Sequence, residues 1–124
     1  MRNVTLAVTQ MECGWDRARN VDRAEDLVRQ AADRGAQVVL LQELFETPYF
    51  CPDEKEALFA EARPFDGNAT IARMAALAAD LGVVLPVSFF ERAEGSYFNS
   101  LAMIDADGRV LELYRKSHIP EGPG

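Results

Sequence analysis

Residues 38–50 read VVLLQELFETPYF. The four apolar residues at 38–41 show no alternation, the pattern of a strand covered on both faces. Gln42 and Glu43 follow at once, and aromatic residues resume at Phe45, Tyr49 and Phe50. Burying an unpaired carboxylate is costly. Glu43 therefore either turns out to solvent or is held inside because chemistry there needs a base.

Upstream, Val4, Leu6 and Val8 alternate with Thr5, Ala7 and Thr9, a period-two strand with one greasier face. Asn20 can cap a helix that runs to about Arg34 and is closed by Gly35. Val21, Ala24, Leu27, Val28 and Ala31 give that helix an apolar stripe. Strand, helix and strand 37–41 with a short return loop make a βαβ unit with a parallel strand pair.

Downstream, a short helix is expected over 54–61 and a longer one over 70–81. The longer helix has Asn68 or Thr70 as its cap and Gly82 as its stop. Three strands then follow closely, at 83–90, 97–104 and 110–115, joined by RAEGS and DADG, both hairpin chemistry. Pro86 inside the first of them implies a bulge or a missing N–H in the ladder. The fold class is α/β with a mixed sheet, parallel at the start and antiparallel later. Two good helices cannot cover both faces of five strands, so one face is expected to be under-covered.

Composition narrows the function. The chain has 124 residues, 48% hydrophobic and 27% charged, an ordinary globular balance for one domain. The formal net charge of −7 argues against a nucleic-acid partner and against docking on anionic lipid. No apolar run reaches membrane-spanning length, and MRNVTLAVTQ reads as a strand with no leader-type cleavage site. Cys13 and Cys51 make no disulfide framework, so a reducing cytoplasm is the expected compartment. GxGxxG and P-loop motifs are absent, and Cys13, Cys51 and His118 are too scattered for a zinc site.

Glu43 lies just past the carboxyl end of the second strand and Lys116 just past the last. Ligands gather outside the carboxyl ends of strands in open α/β sheets, so the two charges are expected to face one pocket. His118 is the only histidine and could pair with Cys13 or Cys51 as a thiolate couple. Tyr49, Phe50 and Cys51 precede Pro52 in an aromatic loop, either packing or a specificity wall.

Four segments then carry a resemblance: VTLAVTQMEC (4–13), LLQELFETPYF (40–50), PVSFFER (86–92) and YFNSLAMIDADGRVLELYRKSHIPEGPG (97–124). In order and separation they resemble the nitrilase superfamily of carbon–nitrogen hydrolases. The resemblance implies an α-β-β-α sandwich with a mixed sheet, of which residues 1–124 are the N-terminal part of a single hydrolase domain. It implies cleavage of linear amides or N-carbamoyl amines, N-carbamoylputrescine among them, by a glutamate, lysine and cysteine set. Glu43 matches the general base, kept inside because a thiol needs it, and Lys116 matches the oxyanion-stabilising lysine. Tyr49, Phe50, Cys51 and His118 are the expected substrate-binding residues. Neither Cys13 nor Cys51 occupies the nucleophile's motif, so this chain alone is expected to be inactive. No metal or cofactor is implied. The expected partners are a small amide or carbamoyl substrate and, in the full-length form, further copies of the chain, with no nucleic acid and no membrane. Two other readings stand beside this one: a non-catalytic α/β binding or assembly module, and a Cys51–His118 thiol hydrolase.

Overall fold

The computed structural model describes residues 1–53 and 55–119. Glu54, the expected start of the short helix, and 120–124, the tail of the last resembling segment, lie outside the described residues.

Strand β1 (Leu6–Val8) pairs in parallel with β2 (Val38–Leu40) across helix α1 (Arg17–Asp33), which is the βαβ unit. Helix α1 begins earlier than the sequence suggests. Asp16, in an extended conformation, is the cap and accepts from the Arg19 amide at 3.1 Å. Asn20 already lies one turn in, where its buried side chain has other partners. Its Nδ2 donates to the Gly14 and Glu46 carbonyls, and its Oδ1 accepts from the Gly14 amide. Gly35 turns the chain out of the helix at φ 89°.

A 3₁₀ turn (Glu56–Glu61) stands where the short helix is expected. Helix α2 (Ala69–Leu81) starts on Asn68, whose side chain accepts from the Ile71 amide, and stops on left-handed Gly82. Strands β3 (Leu85–Ala93), β4 (Ser96–Ile104) and β5 (Val110–Arg115) form an antiparallel meander. The β3–β4 turn puts both Glu94 (φ 49°) and Gly95 (φ 78°) in the left-handed region, as a type I′ hairpin requires.

The two sheets join through Val84, which donates to Gln37 O at 2.9 Å and accepts from Val39 N at 3.0 Å. In a parallel ladder the next donor on that edge is residue 86. That residue is Pro86, which has no N–H, and the pairing with β2 stops there. Register with β4 runs unbroken through Pro86↔Met103; the irregularity sits between β4 and β5, at Met103/Ile104. The same edge of β3 is taken up again by Arg63, bonded to Phe90 and Arg92. The segment after β2 fills the gap between, and Glu43 sits in it.

Both helices lie on one face of the strands. Val21, Ala24 and Val28 of α1 and Ile71, Met74 and Leu77 of α2 bury against Val39, Leu85, Val87, Phe89, Ala102 and Ile104. Each large apolar side chain so buried contributes about 1.5–3 kcal/mol. Outside, Arg29 pairs with Asp80, and Arg73 with Asp22 and Glu25, across the two helices. The opposite face is open. On β1 it is the greasier side that points there: Leu6 is 70% and Val8 79% exposed, while Ala7 packs inward against the core. Leu40, Leu111 and Tyr114 are exposed as well. No helix among the described residues is long and apolar enough to cross a membrane.

Candidate active site

Strands β2 and β5 run in the same direction, because β3 is parallel to β2 and two antiparallel steps lead to β5. Their carboxyl ends therefore meet at one end of the molecule. There Lys116 Nζ lies 3.1 Å from Glu43 Oε1, and Asn99 Nδ2 donates to the same oxygen at 2.6 Å. These groups line an open depression of about 420 Å³ on the uncovered sheet face, with Leu40, Ser88, Leu101 and Tyr114 around them. Main-chain pairing supports the arrangement: Lys116 N donates to Asn99 O at 2.9 Å.

Glu43 is not held inside. Its side chain is 43% exposed, and that of Lys116 37%. The regular part of β2 ends at Leu40, and among the described residues nothing covers the carboxylate on the open face. Among the described residues the buried acids are Glu46 and Glu91, neither of them singled out by the sequence.

The backbone around Glu43 is clamped on three sides. The Gln42 side-chain amide bonds the Met11 backbone as a strand neighbour would, its Oε1 accepting from Met11 N at 2.8 Å and its Nε2 donating to Met11 O at 3.1 Å. Leu44 takes φ 53°, a conformation costly for a branched side chain, and its amide donates to Ser88 Oγ at 2.9 Å. Glu46 turns back into the fold between the helices, accepting from Arg17 Nη1 at 2.8 Å and from the Thr70 hydroxyl. Among the described residues no buried side-chain nitrogen or oxygen lacks a partner.

The other expected site residues scatter. Tyr49 is exposed but near enough to Glu43 to feel its charge. Hydrogen bonding toward the Cys51 sulfur, then burial, then the charges of Cys51 and Glu43 push its phenol up to about 12. Phe50 leans on Phe90 at 5.0 Å between ring centres, in a cluster that continues to Phe59 and Tyr97. Cys51 is half-buried beside Tyr49 and His118 is exposed; no hydrogen bond joins the two among the described residues. Neither lines the depression, and neither does Cys13, whose thiol burial pushes up. No group of three or more His, Cys, Asp or Glu is placed to hold a metal among the described residues.

Asn99 and Ser88 are the site residues that sequence reading missed. Their signal was a polar residue on a strand otherwise apolar at alternate positions, legible only once the strand's face is known.

Comparison with known proteins bears on the family and the fold. Residues 5–124 match the carbon-nitrogen hydrolase family. N-carbamoylputrescine amidases of Solanum lycopersicum and Arabidopsis thaliana are 56% and 53% identical over 99% of the chain. A citrullinase of Francisella tularensis is 40% identical over 100% of it. The chain spans 41–43% of the length of these relatives. A carbon-nitrogen hydrolase from Helicobacter pylori superposes on 97% of the chain, and on 41% of its own, with TM-score 0.86 and 34% identity. An amidase mutant from Nesterenkonia sp. AN1, solved with butyramide, shares the fold over 97% of this chain and 45% of its own at TM-score 0.80 and 24% identity.

Proposed function

The chain belongs to the carbon–nitrogen hydrolase family, and on that premise we propose that Glu43 and Lys116 are the base and the oxyanion donor of a thiol amidohydrolase that cleaves an N-carbamoyl amine. The observation that carries this reading is the 3.1 Å contact between Lys116 Nζ and Glu43 Oε1 in a depression at the carboxyl ends of β2 and β5. An acceptor for a proton and a fixed cation side by side suit acyl transfer, in which a nucleophile loses a proton as a carbonyl oxygen gains charge.

In this mechanism Glu43 takes the proton of a thiol, and the thiolate attacks the carbamoyl carbon. The oxygen that becomes anionic is met by the Lys116 ammonium. The C–N bond to the amine then breaks, the leaving amine takes the proton from Glu43, and an S-thiocarbamate remains on the enzyme. Water, deprotonated by the same Glu43, attacks this carbon, the C–S bond breaks, the thiolate takes its proton back from Glu43, and the carbamic acid released breaks down to carbon dioxide and ammonia. Asn99 holds the Glu43 oxygen in place through both half-reactions. In this reading the nucleophilic cysteine is supplied from outside residues 1–124, taken as the N-terminal part of a single hydrolase domain, a reading supported by relatives of which the chain spans 41–43%. These residues alone do not turn over.

N-Carbamoylputrescine is the leading substrate, giving putrescine, carbon dioxide and ammonia, a polyamine-forming step. Relatives named for N-carbamoylputrescine and for citrulline support the class, since both compounds carry a carbamoyl group on an amine nitrogen. Tyr49, Phe50, Cys51 and His118 are the substrate-side candidates, with Tyr49 nearest Glu43 in its electrostatics. Cytoplasmic residence and a homo-oligomeric full-length enzyme complete the reading. Its test is putrescine and ammonia release from N-carbamoylputrescine by the full-length protein. Turnover that survives Glu43→Gln would refute it.

A further inference from the structure

Residues Asn99–Ser100 of β4 and Arg115–Lys116 at the end of β5 lie side by side, and successive side chains of a strand point to opposite faces. Asn99 and Lys116 therefore reach Glu43 on the open face. Ser100 and Arg115 reach a second carboxylate, Glu91, on the helix-covered face. Glu91 is essentially buried, its side chain 2% exposed. Its Oε2 accepts from Ser100 Oγ at 2.6 Å and from Arg115 Nε at 2.9 Å, and its Oε1 accepts from Arg115 Nη2 at 2.6 Å. This is a two-pronged pair, the geometry that fixes a guanidinium most tightly. The Arg115 guanidinium carbon also sits 4.1 Å from the centre of the Phe98 ring.

The end of β5 needs such an anchor. Beyond Arg115 the strand pairing has ended, and among the described residues the Lys116 backbone makes one bond, to Asn99. The side chain near it on the open face, Tyr114, is exposed and gives it little packing. The strongest tie within reach of Lys116 is the one made through the sheet by its neighbour.

We propose that Glu91 is a positioning residue: by gripping Ser100 and Arg115 on the covered face it holds Asn99 and Lys116 against Glu43 on the open one. The proposal deepens the reading of Glu43 and Lys116 as the site, but its test needs no turnover, so the two stand or fall separately.

Lys55, largely exposed, serves as the internal reference for Lys116. Brief labelling of the full-length protein with an amine-reactive acetylating reagent, read by peptide mass spectrometry, gives the ratio of modification at Lys116 to that at Lys55. Glu91→Gln raises this ratio severalfold, as does Glu43→Gln, and the double variant goes no higher than the larger single effect. Ser100→Ala, too mild to unfold the protein, raises it less and in the same direction. Amide hydrogen exchange on the same samples shows faster exchange at Lys116, with Val87 and Phe89 unchanged. An unchanged ratio in Glu91→Gln and Ser100→Ala overturns the proposal. So does a rise matched by equally faster exchange at Val87 and Phe89, which makes Glu91 a general structural support.

Discussion

Arg17 Nη1 meets Glu46 Oε2 at 2.8 Å, joining the first turn of α1 to the segment that carries Glu43. The same guanidinium reaches Glu61, through both its carbonyl and its carboxylate, so one arginine ties the 3₁₀ turn and the site loop to a helix. Thr70 adds the start of α2. Glu46→Ala would leave Arg17 half-paired and the Thr70 hydroxyl without its acceptor. A charged hydrogen bond contributes about 1.5–3 kcal/mol. Loss of stability in that range is expected in urea unfolding, together with faster amide exchange at Leu44. A variant as stable as the parent would show that the loop does not depend on this contact.

The roles proposed for Glu43 and Lys116 make different demands on the full-length protein. General acid–base catalysis contributes about 10²–10⁴-fold, and Glu43→Gln should lower kcat by that order while leaving the melting temperature nearly unchanged, since the side chain is half-exposed. Removing one oxyanion donor typically costs about 10²–10³-fold, the loss expected for Lys116→Met. Asn99→Ala should cost less than either, because it orients Glu43 without touching the reacting atoms. Steady-state kinetics with N-carbamoylputrescine decide the order; an Asn99 variant slower than the Glu43 variant would reverse these roles.

Much of this arrangement is legible in the sequence, and the misses have local causes. Asn68 and Gly82 bound α2 because the apolar stripe between them fixes the helix phase. Asn20 has cap chemistry too, but Asp16 stands one turn earlier and reaches the Arg19 amide first. Pro86 marks a missing N–H, yet only the neighbour on that edge says which bond is lost. Glu43 and Lys116 rest on motifs, whereas Asn99, Glu91 and Arg115 need the β3–β4–β5 register before their faces are known. The exposure of Glu43 follows from an uncovered sheet face, which apolar flanks at Leu44 and Phe45 cannot report. Those two residues bury beneath the loop while the carboxylate points away.

Gly108 tests how closely the β4–β5 turn sits on α2. Its φ is 84°, and a Cβ there would lie 2.7 Å from the Ala75 carbonyl oxygen and 3.0 Å from Ala79 Cβ. Gly35, with φ 89°, has nothing within 4 Å of such an atom. Gly35→Ala should therefore carry the backbone cost alone, about 1 kcal/mol, and Gly108→Ala that cost plus a clash with helix backbone, about 2–3 kcal/mol. Chemical denaturation of the two variants side by side measures the difference. Equal effects would mean the turn lifts off α2 without cost.

Acid should loosen the sheet through Glu91. The Arg115 guanidinium holds this carboxyl below its usual value, burial opposes the shift, and the Ser100 hydroxyl adds to it. Glu25 is lowered in the same sense, first by Arg73, with burial opposing and Arg29 adding. A carboxyl whose folded value is depressed contributes its full stability above the unfolded value. That contribution fades as pH falls below it and is gone once pH has passed the folded value, because the unfolded chain takes up the proton first. The facing charges do not reverse the sign: Arg115 stays protonated throughout, and Glu94, which acts on Arg115, is itself an acid. Urea midpoints should hold steady from neutral pH down to the ordinary carboxylate range and then fall. In Glu91→Gln the midpoint starts lower and the acid slope is shallower, with the remainder carried by Glu25 and other acids. A slope identical to the parent's would mean that Glu91 gains nothing from Arg115 on folding.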